Sequence, residues 1–265
     1  MSSKNERAAA ARAKAQAQVK AQERRTTMII VAASVVGLAL FGALIFFIVN
    51  QGKVPALGEA GSTAPAASDA SGGIPVGSGG VVGEDVPEDA PRVDIYLDFM
   101  CPICGTFEQI NEADLNELRE AGEIQVWYHP VSILDRFSNS TQFSTRSAAA
   151  AGVVADRAPE AFLDFMTAMF VNQPSEGTDG LSDDQIEEIA LAAGVPEDVA
   201  GSLSNADFRK WATAATTQAS QDGMQGTPTI AVSASGDFAD MEILDPNDVA
   251  YFSEGGLKAY LEGLG

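Results

Sequence analysis

Apolar and polar positions alternate through residues 92–99, RVDIYLDF, with Val93, Ile95, Leu97 and Phe99 on one side and Asp94, Tyr96 and Asp98 on the other. A period of two is that of a strand. The period then lengthens. CGTFEQINEADLNELREAG sets Phe107, Ile110, Leu115 and Leu118 at near-helical spacing, and Gly122 is placed to end the helix. Residues 123–129, EIQVWYH, form a second strand stopped by Pro130. Strand, helix, strand with short connections predicts parallel strands joined by a right-handed crossover. Helical patterns follow for about ninety residues. They cover 141–156, 159–172 (with Phe162, Phe165, Met166, Met169 and Phe170 as a stripe) and 205–221, which carries Phe208 and Trp211. Between the last two lies LSDDQIEEIALAAG, where Ser182 and Gln185 have capping-box spacing and Gly194 closes the helix. Strand character returns at 229–233, turns at Gly236, and gives 241–244 as a short antiparallel partner. A last helix, beginning between Pro246 and Glu254, runs to Leu261. The order is β-α-β, a helical block, then β-β-α, an α/β fold.

The N-terminal third has other patterns. Residues 28–49, MIIVAASVVGLALFGALIFFIV, run for 22 positions without a charge. As a helix they rise roughly 33 Å, enough for a hydrocarbon core. Residues 1–27 carry seven Lys or Arg against two Glu, and Arg24 and Arg25 abut the run. The expectation is one uncleaved transmembrane helix in the plasma membrane, with 1–27 as a cytoplasmic basic segment and the rest extracytoplasmic. A cleaved signal peptide fits less well, since the run is long and the nearest Ala-x-Ala, Ala64-Pro65-Ala66, lies well downstream. Residues 50–90, rich in Gly, Ala, Ser and Pro, read as a flexible linker. Residues 91–265 read as one domain, its helical insertion spanning about 137–222. The chain carries a net charge of −21, and the basic lead-in makes the remainder more acidic still. That field repels nucleic acid and anionic membrane surfaces.

Only two cysteines occur, Cys101 and Cys104, in FMCPICGTF. Zinc would need four ligands, and two Cys with the single His129 do not supply them, so no metal or cofactor is expected. A purely structural disulfide would close a very small loop and gain little. A redox dithiol has the stronger physical case. Cys101 falls where a strand gives way to a helix, so unpaired N–H groups and the helix dipole favour its thiolate. Cys104 follows one turn later, and Pro102 suits the first helical position. Thiolate is the attacking species, and an acidic thiol also leaves readily.

FMCPICGTF followed far downstream by GTPT resembles the DsbA-like branch of the thioredoxin superfamily, thiol–disulfide oxidoreductases with a helical domain inserted in a thioredoxin fold. YHPVSIL at 128–134 is also similar to that branch. The resemblance covers residues 92–264. It implies a thioredoxin-like fold, an exposed nucleophilic Cys101, a buried resolving Cys104, and a cis Thr227–Pro228 bond beside the pair that helps hold an extended substrate segment. It implies cysteine-bearing exported proteins as substrates and a separate redox partner, either a membrane protein or a small thiol. Two features leave the direction of electron flow open. The dipeptide Pro102-Ile103 lacks the histidine of the strongest oxidant, and Thr227 stands where valine is also found. Net oxidation of substrate thiols is the expectation; reduction or isomerisation is the alternative. A reading of another class is a non-catalytic membrane-tethered scaffold that binds extended peptides beside Pro228. Asp98, three residues before Cys101, reads either as a carboxylate assisting proton transfer at Cys104 or, more plainly, as an outward-facing residue at the strand end. His129 reads as a structural hydrogen-bonding residue, and Phe99, Phe107 and Trp127 as core.

Overall fold

The computed structural model of the chain describes residues 18, 20, 22, 24, 25, 27, 28, 30–45, 56–57, 63–87 and 89–264. It separates into two compact units, Met1–Lys53 and Val54–Gly265. In the first, residues 30–45 are helical; residue 29 and residues 46–49 of the expected span lie outside the described residues. No helix among the described residues is long and apolar enough to cross a membrane. The transmembrane helix expected at 28–49 is therefore corrected, and with it the single-pass plasma-membrane placement with a cytoplasmic N-terminus.

The second unit is built on a five-stranded sheet of order β1-β3-β2-β4-β5. Its strands are β1 (Ile74–Val76), β2 (Arg92–Leu97), β3 (Gln125–Pro130), β4 (Thr229–Ser233) and β5 (Glu242–Ile243). The helices are α1 (Pro102–Glu120), α2 (Phe143–Arg157), α3 (Phe162–Val171), α4 (Asp183–Ala192), α5 (Glu197–Ala200), α6 (Ala206–Gln221) and α7 (Gly256–Glu262). β2 and β3 are parallel, as the strand–helix–strand pattern predicts. β4 returns antiparallel beside β2, and β5 pairs antiparallel with β4. The fold is thus a thioredoxin-like α/β sheet with a multi-helix subdomain, α2 to α6, between β3 and β4.

Two expectations about the sheet need correction. The stretch read as a linker holds β1, which pairs antiparallel with β3 and is fully buried. Three residues are too few for a periodic signal, and the strand is fixed from outside. Arg119 of α1 donates through Nη1 to the carbonyls of Gly77 and Ser78 at 2.6 and 2.7 Å. The second correction concerns β2, whose alternation suggested one solvent-facing side. Every residue of β2 is buried. Val93, Ile95 and Leu97 enter the main core with Phe107, Leu115 and Leu118 of α1, while Tyr96 packs with Val131, Ala219, Met224 and Ala231 on the other side. Asp94 is then affordable only with partners. Arg92 donates to both of its oxygens at 2.7 Å, and His129 Nε2 lies 2.6 Å from Oδ1. His129 also stacks on Tyr96, so its structural reading holds. Phe99 and Phe107 are core residues; Trp127 is half-buried, with the Arg92 guanidinium 3.8 Å above its ring.

In the inserted subdomain the capping box forms as expected: Ser182 Oγ accepts from the Gln185 N–H and Gln185 Oε1 from the Ser182 N–H. α2 lies against α6 at Gly152, where an added Cβ would come within 2.5 Å of Trp211 Cζ3 and 3.0 Å of Phe208 Cδ1. Helical Gly→Ala ordinarily stabilises by about 1 kcal/mol. Here overpacking against two buried rings costs roughly 1–3 kcal/mol. Gly152→Ala is therefore expected to lower the urea midpoint; an unchanged or raised midpoint would contradict this packing.

Candidate active site

β2 delivers the chain through Asp98 and Phe99 to Cys101, which is the N-cap of α1 with Pro102 in the first turn. The turn is closed by the Cys101 N–H donating to the Asp98 carbonyl at 2.9 Å. From the other side comes the Thr227–Pro228 bond, which is cis as predicted and precedes β4. The two segments meet at sulfur: the Cys101 thiol donates to the Thr227 carbonyl at 3.2 Å across 126 residues of sequence. Both thiols are free. Cys104 has no exposure, as the resemblance implies, but Cys101 is only 5 % exposed rather than open. Its sulfur is tucked between α1 and Thr227, and the exposed neighbours are Pro102 and Ile103.

The two thiols differ sharply in acidity. A hydrogen bond from Cys104 contributes most to lowering Cys101, helped by the Thr227 side chain and the backbone N–H groups of Cys104 and Ile103, and together they outweigh burial to bring it to about 6. Ile103 thus contributes through its backbone though its side chain cannot. Burial, reinforced by the Cys101 charge, pushes Cys104 well above the ordinary thiol value. One thiol is acidic and the other is held protonated.

Asp98 is not outward-facing; it is fully buried. Its Oδ1 accepts from the Met100 N–H at 2.9 Å and its Oδ2 from the Leu134 N–H at 3.0 Å. Burial nevertheless raises its carboxyl to about 6, the two N–H donors and the Ser144 side chain offsetting only part of that cost. The plainer reading fails because the loop after β3, through Leu134, covers the end of β2.

No period or motif marks Gln173, just beyond α3. Its Nε2 donates to the carbonyls of Cys101 and Phe99 at 2.8 and 3.0 Å, tying the inserted subdomain to the thiol loop. Gly105 makes room for it: a Cβ there would lie 2.6 Å from Gln173 Oε1. Among the described residues no cluster of His, Cys, Asp and Glu is arranged to hold a metal ion.

The thioredoxin family profile matches residues 81–236, more than half of the chain. Reduced DsbA from Mycobacterium tuberculosis is 28% identical over 73% of this chain and 99% of its own, with a TM-score of 0.53. MdbA, a thiol–disulfide oxidoreductase from Actinomyces oris, aligns over 79% of this chain and 96% of its own at 22% identity and a TM-score of 0.58, a likeness of fold. Among curated proteins, the serine/threonine-protein kinase PknE of Mycobacterium tuberculosis is 30% identical over 129 residues; the match spans 47% of this chain and 23% of the kinase. The fold and the closely spaced cysteine pair are those of a thiol–disulfide oxidoreductase.

Alkylation of the reduced protein should report the asymmetry. Iodoacetamide is expected to label Cys101 alone, with a rate that rises through pH 6 and is nearly flat by pH 8. The same lowered pKa sets a stability trend. Relative to Cys101→Ser, the reduced protein keeps its full thiolate stabilisation above the ordinary thiol value near 9 and loses it as pH falls through about 6. A labelling midpoint near 9 would remove the thiolate from the account.

Proposed function

The chain belongs to the thioredoxin family, and on that premise we propose that it oxidises the cysteines of exported proteins through a Cys101–Cys104 disulfide. The observation that carries the direction is the acidity of Cys101, at about 6, beside a Cys104 pushed well above the ordinary range. A stabilised thiolate favours the reduced enzyme, and so makes its disulfide the better oxidant.

A substrate thiolate attacks Cys101 Sγ of the enzyme disulfide. The Cys101–Cys104 bond breaks, a mixed disulfide forms on Cys101, and Cys104 leaves and takes up a proton. Asp98 is the nearby buried acid we assign to that proton, since a carboxyl near pH 6 can both give and recover it. A second substrate thiolate then attacks the substrate sulfur of the mixed disulfide. The substrate disulfide forms, and Cys101 departs as the acidic thiolate. Two electrons now rest on the enzyme, and a separate redox partner, a membrane protein or a small disulfide, removes them. Thr227 and Pro228 are assigned to substrate binding: Thr227 already meets the Cys101 sulfur, and the adjacent backbone suits an extended segment. Pro102 and Ile103 are assigned auxiliary roles, Pro102 starting the helix and Ile103 presenting an apolar surface that is 54 % exposed.

Cys104→Ser, loaded at Cys101 as the glutathione mixed disulfide, is expected to exchange glutathione for cysteine-bearing proteins and hold them covalently. Cys101→Ser should hold none, and Asp98→Asn in the intact pair should slow dithiol oxidation at least tenfold. Proteins that bind equally well to a Cys101 and Cys104 double variant, with no covalent capture by Cys104→Ser, would favour the scaffold reading instead.

A further inference from the structure

Glu108 lies one turn beyond Cys104 on α1 and is 5 % exposed, yet its Oε1 has no hydrogen-bond partner among the described residues. An acceptor buried without a partner is unfavourable, because it has lost water and gained nothing in exchange. Beside it, between α1 and α3, opens a cavity of about 500 Å³. Pro102 and Gly105 line it next to the thiol loop, and Gln173, which holds the Cys101 carbonyl, is shared by both. Glu112, one turn after Glu108, also lines the cavity, its Oε1 accepting from the Thr167 hydroxyl at 2.7 Å. Two carboxylates thus share one cavity, and no lysine or arginine lines it. Burial and the Glu112 charge push Glu108 up to about 8, as befits a buried carboxyl with no cation against it. Phe170 and Val171, the latter 79 % exposed, form an apolar patch of the lining beside the uncharged polar side chains of Thr106, Gln109 and Thr167.

The geometry points to a subsite for a basic side chain: the cavity takes an arginine or lysine of the polypeptide engaged at Cys101, its cationic head meeting Glu108 and Glu112. The aliphatic stem covers Phe170 and Val171, as long basic side chains do along apolar surface. Arginine fits best, because its planar fork can satisfy two carboxylates at once. The inference rests on the oxidoreductase reading for the cysteine of that polypeptide, but on the cavity alone for its basic residue.

The test uses the full chain and synthetic nonapeptides with one cysteine and an arginine placed two to five positions away. Each is paired with a citrulline counterpart, which keeps the shape and loses the charge. Oxidation, two peptide thiols giving one intermolecular disulfide, is followed as kcat/KM with glutathione disulfide as the recycling oxidant, and equilibrium binding is measured by fluorescence anisotropy with cysteine replaced by serine. At one spacing the arginine peptide is expected to be oxidised, and its serine form bound, about tenfold better than the citrulline peptide, equivalent to about 1.4 kcal/mol. Glu108→Gln and Glu112→Gln should each bring that ratio toward one, whereas Glu197→Gln, at an exposed position of α5, should leave it alone. Should Glu108→Gln fail to fold, the half-buried Glu112 carries the same test. Equal binding of arginine and citrulline peptides at every spacing, or a preference that survives both cavity variants, would overturn the subsite. Binding preference without any oxidation would leave the subsite standing and remove the oxidoreductase reading.

Discussion

The site depends on one contact, the meeting of the Cys101 sulfur with Thr227 across 3.2 Å. It joins the first turn of α1 to the segment entering β4, and the whole inserted subdomain lies between them in sequence. β2 fixes one side of that contact because it pairs with β3 and β4 at once. Gln173 fixes the other boundary by holding the Cys101 carbonyl from α3. The insertion is therefore a wall of the site, not an ornament on the sheet.

Burial does most of the electrostatic work, and it acts differently on each ionisable group. Asp94 is held by the Arg92 guanidinium and by His129. Asp98 has two backbone donors, helped by the Ser144 side chain, and rises only to about 6. Glu108, whose Oε1 has no partner among the described residues, rises to about 8. The rise is larger where fewer groups replace water. The same logic separates the thiols: Cys101 gathers donors at a helix N-terminus, while Cys104, one turn in, is chiefly desolvated.

Much of this was legible in the residues. Alternation in 92–99, the helical spacing after Cys101 and the capping box at Ser182 are local signals, and each element formed where its pattern lies. CxxC and the distant Thr227-Pro228 were legible as motifs, though their meeting is a tertiary fact. What escaped was set by distant partners. β1 is three residues long and depends on β3 and Arg119. Asp98 alternates like a surface residue but is roofed by the loop through Leu134. Gln173 sits 72 residues from the carbonyl it holds, and no period or spacing marks it. The apolar run at 28–49 misled in the other direction: no helix among the described residues is long and apolar enough to cross a membrane. Glu108 did leave a trace, as a carboxylate breaking into the buried side of α1.

The central claim is that the environment of Cys101 makes the disulfide an oxidant. Bringing a thiol from 9.0 to about 6 favours the reduced form at pH 7 by about 1.4 kcal/mol, which for a two-electron couple is about 30 mV. The decisive measurement is the reduction potential of the Cys101–Cys104 pair, from equilibration of the purified protein in glutathione buffers with acid quenching. The account predicts a value between about −120 and −200 mV, in the range of oxidising dithiols. A value near −270 mV, that of a reducing dithiol, would contradict it.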